Sequence, residues 1–295
     1  MLIQNGLIFD AVHPQPWKGD ISIQNGVIAA LAPHLSPAPG EEVIDASGQR
    51  VYPALWMPTA TWGWTTTAWA MRGQDYNEMG DMVAAQLRGI DSFNPQDKAI
   101  HMALSGGVTT VGAGPGSANV LGGTFMAVKT WGNCVDDMVI KAPAAMKLAL
   151  GENPKLTYHE RHEGPITRMA TAAVIRENLA KAVEYRDKLE RAAADPDEEK
   201  PEFDAKLEAL LPVVRRELPV HIHAHRADDI ATGIRICKEF GLEYVIVHGT
   251  EGHLIANELA REGARVITGP CLGDRSKPEL ANMSLETPVL WRWRG

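Results

Sequence analysis

Between residues 220 and 269 the chain keeps a rhythm that few folds accommodate. Short apolar runs at 220–226, 243–249 and 264–269 alternate with helical stretches at 227–240 and 253–262. Strand–helix alternation of this kind points to a parallel sheet. The first two runs also carry histidines. Alternate residues of a strand face the same way, so in Val220-His221-Ile222-His223-Ala224-His225-Arg226 the three histidines share one face. His248 closes the next run, Tyr244-Val245-Ile246-Val247-His248. One such histidine is ordinarily a satisfied core or surface residue. Four at the ends of adjacent strands predict a metal or catalytic pocket. By strand rise His225 stands about 6.5 Å nearer the mouth than His223, which argues against both reaching one ion. His221 lies deeper and is expected to be a hydrogen-bonded core residue.

The same alternation extends upstream. Strands are expected near 51–57, 108–113, 125–129 and 145–150, which with the three above makes seven. Helices are expected over Asn77–Ile90, over Pro95–Ser105 with Asn94 as cap, over Thr167–Ala194 and over Glu202–Leu218. A closed (β/α)₈ barrel needs eight strands, so the expected fold is α/β, an incomplete (β/α)₈ TIM-like barrel spanning 51–295. Residues 1–50 read differently. Leu2–Phe9 and Asp20–Ile28 each interrupt an apolar alternation with Asn-Gly, a hairpin signal. They predict a small N-terminal β-sandwich layer.

Composition narrows the function. A net charge of −8 over 295 residues argues against nucleic-acid and anionic-lipid surfaces. Cys134, Cys237 and Cys271 have no pair spacing, which fits neither a disulfide framework nor a cysteine zinc site and agrees with a cytoplasmic location. No basic-then-apolar leader opens the sequence, and no apolar run reaches the roughly 18–20 residues a membrane span requires. The expected partner is a small-molecule substrate, with no nucleic acid and no membrane. Open barrel edges invite a homo-oligomer, or closure by the 284–295 tail.

Five segments, in order, resemble the amidohydrolase superfamily of metal-dependent hydrolases, in particular its imidazolonepropionase- and prolidase-like members. They are the opening Asn-Gly pieces leading to Ile44-Asp45-Ala46-Ser47-Gly48, then Gly107-Val108-Thr109-Thr110-Val111, then Ala145–Pro154, then His223-Ala224-His225-Arg226-Ala227-Asp228-Asp229-Ile230, and finally Val247-His248-Gly249-Thr250-Glu251-Gly252-His253-Leu254. The resemblance implies hydrolysis of a C–N bond in an amide, lactam or cyclic amide, by a water activated at one divalent ion, zinc first. It implies His223 and His248 as metal ligands, with Glu152 favoured over the deeper Lys147 for the fourth-strand ligand. Where such proteins carry a first-strand His-x-His this chain has Thr59-Ala60-Thr61, and the eighth-strand aspartate has no counterpart.

Those departures leave two expectations. One is a single-ion hydrolase in which His225 or Glu251 accepts the proton of water, with Asp228 a further candidate. The other is a catalytically inactive, truncated or degenerate member without metal, acting as a scaffold or interaction protein. Arg226 and His253, just past the two histidine strands, are candidates for substrate binding, as is Asn119 in the glycine-rich loop 112–123. The alternative for Arg226 is an ion pair with Asp228 or Asp229. Trp56, Trp62, Trp64 and Trp69 surround the altered first strand and read as packing that replaces a metal site.

Overall fold

The computed structural model describes residues 1–60, 75–273 and 275–294. Thr61, Trp62, Trp64 and Trp69 fall outside the described residues. The chain divides into two compact units, Met1–Leu55 and Trp56–Gly295.

The first unit is a five-stranded sheet. Its strands are β1 (Leu2–Ile8), β2 (Trp17–Gln24), β3 (Val27–Ala32), β4 (Val43–Asp45) and β5 (Arg50–Val51). The order is β3-β2-β1-β4, with β5 also on β1. The two Asn-Gly pairs do different jobs. Asn25-Gly26 is the two-residue hairpin turn between β2 and β3, both residues at positive φ. Asn5-Gly6 is not a turn: it lies inside β1, where the register with β2 shifts. There Asn5 takes φ 61° and its N–H donates to Oδ1 of the buried Asp20 at 2.8 Å. An irregularity satisfied by a neighbouring carboxylate is a β-bulge rather than a chain reversal.

The second unit holds a seven-stranded sheet in the order β12-β11-β10-β9-β8-β7-β6. Its strands are β6 (Leu55–Ala60), β7 (Val108–Ala113), β8 (Leu121–Lys129), β9 (Val139–Ala149), β10 (Val220–Ala224), β11 (Tyr244–His248) and β12 (Val266–Thr268). Its helices are α1 (Lys98–Ser105), α2 (Val135–Met138), α3 (Glu152–Glu160), α4 (Arg168–Ala194), α5 (Ala205–Val214), α6 (Ala227–Phe240), α7 (Ala256–Arg261) and α8 (Glu286–Arg294). From β9 to β12 neighbouring strands are parallel. The core under them joins Leu148, Val220 and Ile222 of the strands to Ile175, Leu210 and Ile234 of the helices, all buried.

Two expectations fail on the other side of the sheet. First, β8 runs antiparallel to both β7 and β9. The links 114–120 and 130–138 are too short for the dozen or more residues of a parallel crossover. Second, Asn77–Ile90 forms no α-helix. Val83 and Arg88 pair in parallel with Leu121 and Thr124 of β8, and backbone bonds such as Ala84 N–H to Leu121 O at 2.7 Å fix the stretch. Val83, Ala84 and Ala85 are buried in succession, which a strand-like edge satisfies and a one-sided helix does not. Shorter corrections apply to the helix before β7, which starts at Lys98 with Asp97 as cap rather than at Pro95. No helix among the described residues is long and apolar enough to cross a membrane.

Candidate metal centre

The histidines reach the site through the ends of β10 and β11. In register, Ala224 sits beside His248. Beyond Ala224 the chain leaves the sheet: Gly249 N–H bonds to Ala224 O at 3.0 Å and Glu251 N–H to His225 O at 2.8 Å. This turn folds His225 back over the strand end. One ligand atom each from His223, His225 and His248 therefore lies within 4.8 Å of the others. The ring centroids are 4.8 Å apart for His223–His225, 4.7 Å for His223–His248 and 4.5 Å for His225–His248. The separation expected from strand rise does not hold, because His225 is past the last strand residue. His221 stays on β10, its ring 5.2 Å from that of Phe125 and its Nδ1 buried with no hydrogen-bond partner among the described residues. It is not the bonded core residue expected.

Electrostatics keep these rings neutral, the form that binds a metal. Burial, then the neighbouring His248, pushes His225 down to about 3. Burial pushes His248 down to about 4 and His223 well below the ordinary imidazole value. Burial likewise takes His221 to about 4. Lys147 adds to all four shifts. It is itself only 3% exposed on β9, with Nζ 5.6 Å from the Phe125 centroid, and burial lowers it to about 7.

Hydrogen bonds also hold the rings and fix the tautomer of His248. Nδ1 of His248 lies 2.7 Å from Gly269 O, a carbonyl that only accepts, so Nδ1 carries the proton and Nε2 is free. The Lys277 ammonium donates to Asn153 Oδ1 at 2.5 Å. Asn153 Nδ2 lies 3.2 Å from His223 Nε2, while Nδ1 of that ring is buried with no hydrogen-bond partner among the described residues. Nδ1 of His225 meets Thr250 Oγ1 at 2.7 Å. Such outer partners orient histidine ligands in metal sites. The residues therefore fit a divalent ion: three neutral imidazoles converge, those of His223 and His225 buried and that of His248 half-buried, and the rings of His225 and His248 are each held through Nδ1 by a second polar group. A cavity of about 530 Å³ opens on them, lined among others by Tyr76, Ser117, Leu156 and Lys277.

The other candidates stand apart from this cluster or are engaged elsewhere. Glu152 opens α3, and its Oε2 accepts the backbone N–H of Glu279 at 3.3 Å. Glu251 is buried with both oxygens bonded, Oε2 to Ala227 N–H and Oε1 to the Asn282 amide, each at 2.8 Å. Arg226 ion-pairs with Asp228 at 2.8 Å on the surface. Asn119 is 1% exposed, and its amide donates to the carbonyls of Glu78 and Asp81, the latter at 2.7 Å. His253 Nδ1 meets Thr287 Oγ1 at 3.0 Å. Three residues that sequence reasoning passed over belong to the site: Asn153, Lys277 and Glu279. Asn153 adjoins the Glu152 candidate and had that signal. Lys277 and Glu279 lie in an irregular stretch after β12 that no periodicity marks.

Comparison with known proteins follows the same line. No family model matches the sequence. The chain is similar to the crystal structure of an amidohydrolase from Thermotoga maritima MSB8, with 39% identity and a TM-score of 0.94, covering 100% of this chain and 76% of that one. It is also similar to a protein of Hapsidospora irregularis named amidohydrolase tasK, 28% identical over 268 residues, or 83% of this chain. That alignment takes in 27% of the Hapsidospora protein, so the chain spans about a quarter of the length of the curated relative it matches.

Proposed function

Because the chain belongs to the amidohydrolase superfamily, we propose that it hydrolyses the C–N bond of a small amide, lactam or cyclic amide. It does so with one divalent ion, zinc first, held by His223, His225 and His248. The observation that carries this is the convergence of three neutral imidazoles, two buried and one half-buried, within 4.8 Å of one another beside a cavity. A bound divalent ion supplies Lewis acidity toward a carbonyl and toward water.

The chain's own residues do the rest. Gly269 O and Thr250 Oγ1 hold the rings of His248 and His225. Lys277 lines the cavity and, with one N–H on Asn153 Oδ1, has donors left for the substrate's carbonyl or carboxylate oxygen. It replaces Arg226, His253 and Asn119 in that role, since those three are committed to Asp228, Thr287 and the 78–81 backbone. Glu251 braces the start of α6 instead of accepting a proton.

A second reading is a chain that keeps the fold without the reaction. Thr59 favours it, since a hydroxyl in the first-strand position is a poor zinc ligand beside neutral imidazole. Metal content and turnover together separate the two. Protein purified without a His tag and reconstituted with zinc should hold about one equivalent and cleave at least one member of an amide and lactam panel. Retained metal with no cleavage across the panel would favour the second reading, and no metal at all would end the first.

A further inference from the structure

Glu279 is 2% exposed, in the short turn Pro278–Leu280. A carboxylate taken out of water needs partners for both oxygens. Only one of its oxygens has them. Oε2 accepts the backbone N–H of Glu152 at 3.0 Å, in the first turn of α3, while Glu279 N–H returns a bond to Glu152 Oε2. These reciprocal bonds clamp the residue. Gly151 makes room for the clamp: a Cβ there would stand 2.9 Å from Glu279 Oε2 and 3.0 Å from Asp229 Oδ2.

The other oxygen, Oε1, is buried with no hydrogen-bond partner among the described residues. It lies 3.6 Å from His225 Nε2, 3.9 Å from His223 Nε2 and 3.6 Å from Lys277 Nζ. All three are longer than hydrogen bonds. They match a different geometry. Ligand atoms around a tetrahedral ion with bonds of about 2.0–2.2 Å lie about 3.3–3.5 Å from one another. Oε1 is about half an ångström or less beyond that spacing from both ring nitrogens. An oxygen placed to take a proton from water on such an ion would stand farther out, roughly 4–5 Å from the rings.

We propose, given the three-histidine site above, that Glu279 is a fourth protein ligand of the same ion, bound through Oε1 while Oε2 stays on the α3 N-terminus, with water or substrate entering as a fifth ligand. The ligand set then comes from three places: the end of β10, the end of β11 and the turn at 278–280. It adds one negative charge to three neutral imidazoles.

The test is zinc titration of the metal-free protein in competition with a chromophoric chelator, paired with the visible spectrum of the cobalt-substituted protein. Glu279→Gln keeps the shape and removes the charge. Groups that only orient a ligand change metal affinity about 10–100-fold, so loss of a direct ligand should cost at least about 100-fold in zinc affinity. It should also change the cobalt spectrum, while the metal-free thermal midpoint holds or rises because a buried carboxylate has become neutral. Parent-like zinc affinity with an identical cobalt spectrum in Glu279→Gln would overturn the proposal and leave the three-histidine site standing. No zinc bound by the parent would overturn both. If Glu279→Gln does not fold, Glu279→Asp decides. It keeps the charge and withdraws the oxygen by about 1.5 Å, so weakened zinc binding supports the ligand role and unchanged binding refutes it.

Discussion

In the half of the sheet from β9 to β12 the strands run the same way, and β9, β10 and β11 each lead into a helix or helical turn. Their C-terminal ends open together, and His223, His225 and His248 meet there. In the half around β7 and β8 the strands alternate in direction. Successive strand ends there point opposite ways, and short links, one holding only the four-residue α2, take the place of long crossover helices. That half contributes close packing and a cavity wall at Gly116, Ser117 and Ala118. Parallel strand ends gather side chains from distant parts of the sequence onto one rim, which antiparallel neighbours do not.

The comparison breaks most visibly at the histidines. Replacing His223 and His248 together with alanine should take bound zinc from about one equivalent to near none, measured by elemental analysis after reconstitution. A double variant that keeps its metal would move the chemistry elsewhere in the molecule.

Acid is the next lever. His221, His225 and His248 have folded values of about 4, 3 and 4, against 6.5 for a free imidazole. Their folded values are depressed, so below pH 6.5 the unfolded chain takes up protons that the folded chain refuses. Stability of the metal-free protein is therefore present above pH 6.5 and lost as pH falls toward 4, by up to about 1.4 kcal/mol per histidine per pH unit. Urea melts between pH 7 and 5 should show this, and His221→Phe should flatten the slope. A pH-independent melt would mean that the rings are not buried as described.

The antiparallel half should fail differently. A Cβ at Gly114 would run into the Phe125 ring, so Gly114→Ala should lower stability by about 1–3 kcal/mol through overpacking while zinc affinity stays within about twofold. Chemical denaturation reads the first and chelator competition the second; a large loss of zinc affinity would show that the halves are coupled. The smallest effect is expected at Arg226. Its exposed pair with Asp228 is worth about 0.2–1 kcal/mol at most, so Arg226→Ala should leave both the melt and the metal nearly unchanged. A clear loss of turnover in that variant would restore Arg226 to substrate binding.

Much of the parallel half was legible because its signals are local. The helix predicted over 227–240 is α6, the one over 167–194 is α4 with Thr167 as its cap, and the runs at 220–226 and 243–249 contain β10 and β11. The antiparallel half was misread because its pattern depends on partners far along the chain. Residues 82–85 are apolar in any conformation, and only β8 beside them decides for an extended one. At the site, the strand pattern marked the histidines as a set, and the resemblance to the amidohydrolase superfamily singled out His223 and His248. His225 was judged by strand geometry that stops one residue before it. Glu279 is set by a clamp between residues 127 positions apart, a distance over which periodicity carries no signal.

The most direct measurement is anomalous diffraction at the zinc edge from crystals of the reconstituted protein. One strong peak should lie within about 2.0–2.1 Å of a nitrogen from each of His223, His225 and His248. Crystals that show no peak there, or a peak on other residues alone, would contradict the metal centre on which the proposed hydrolysis depends.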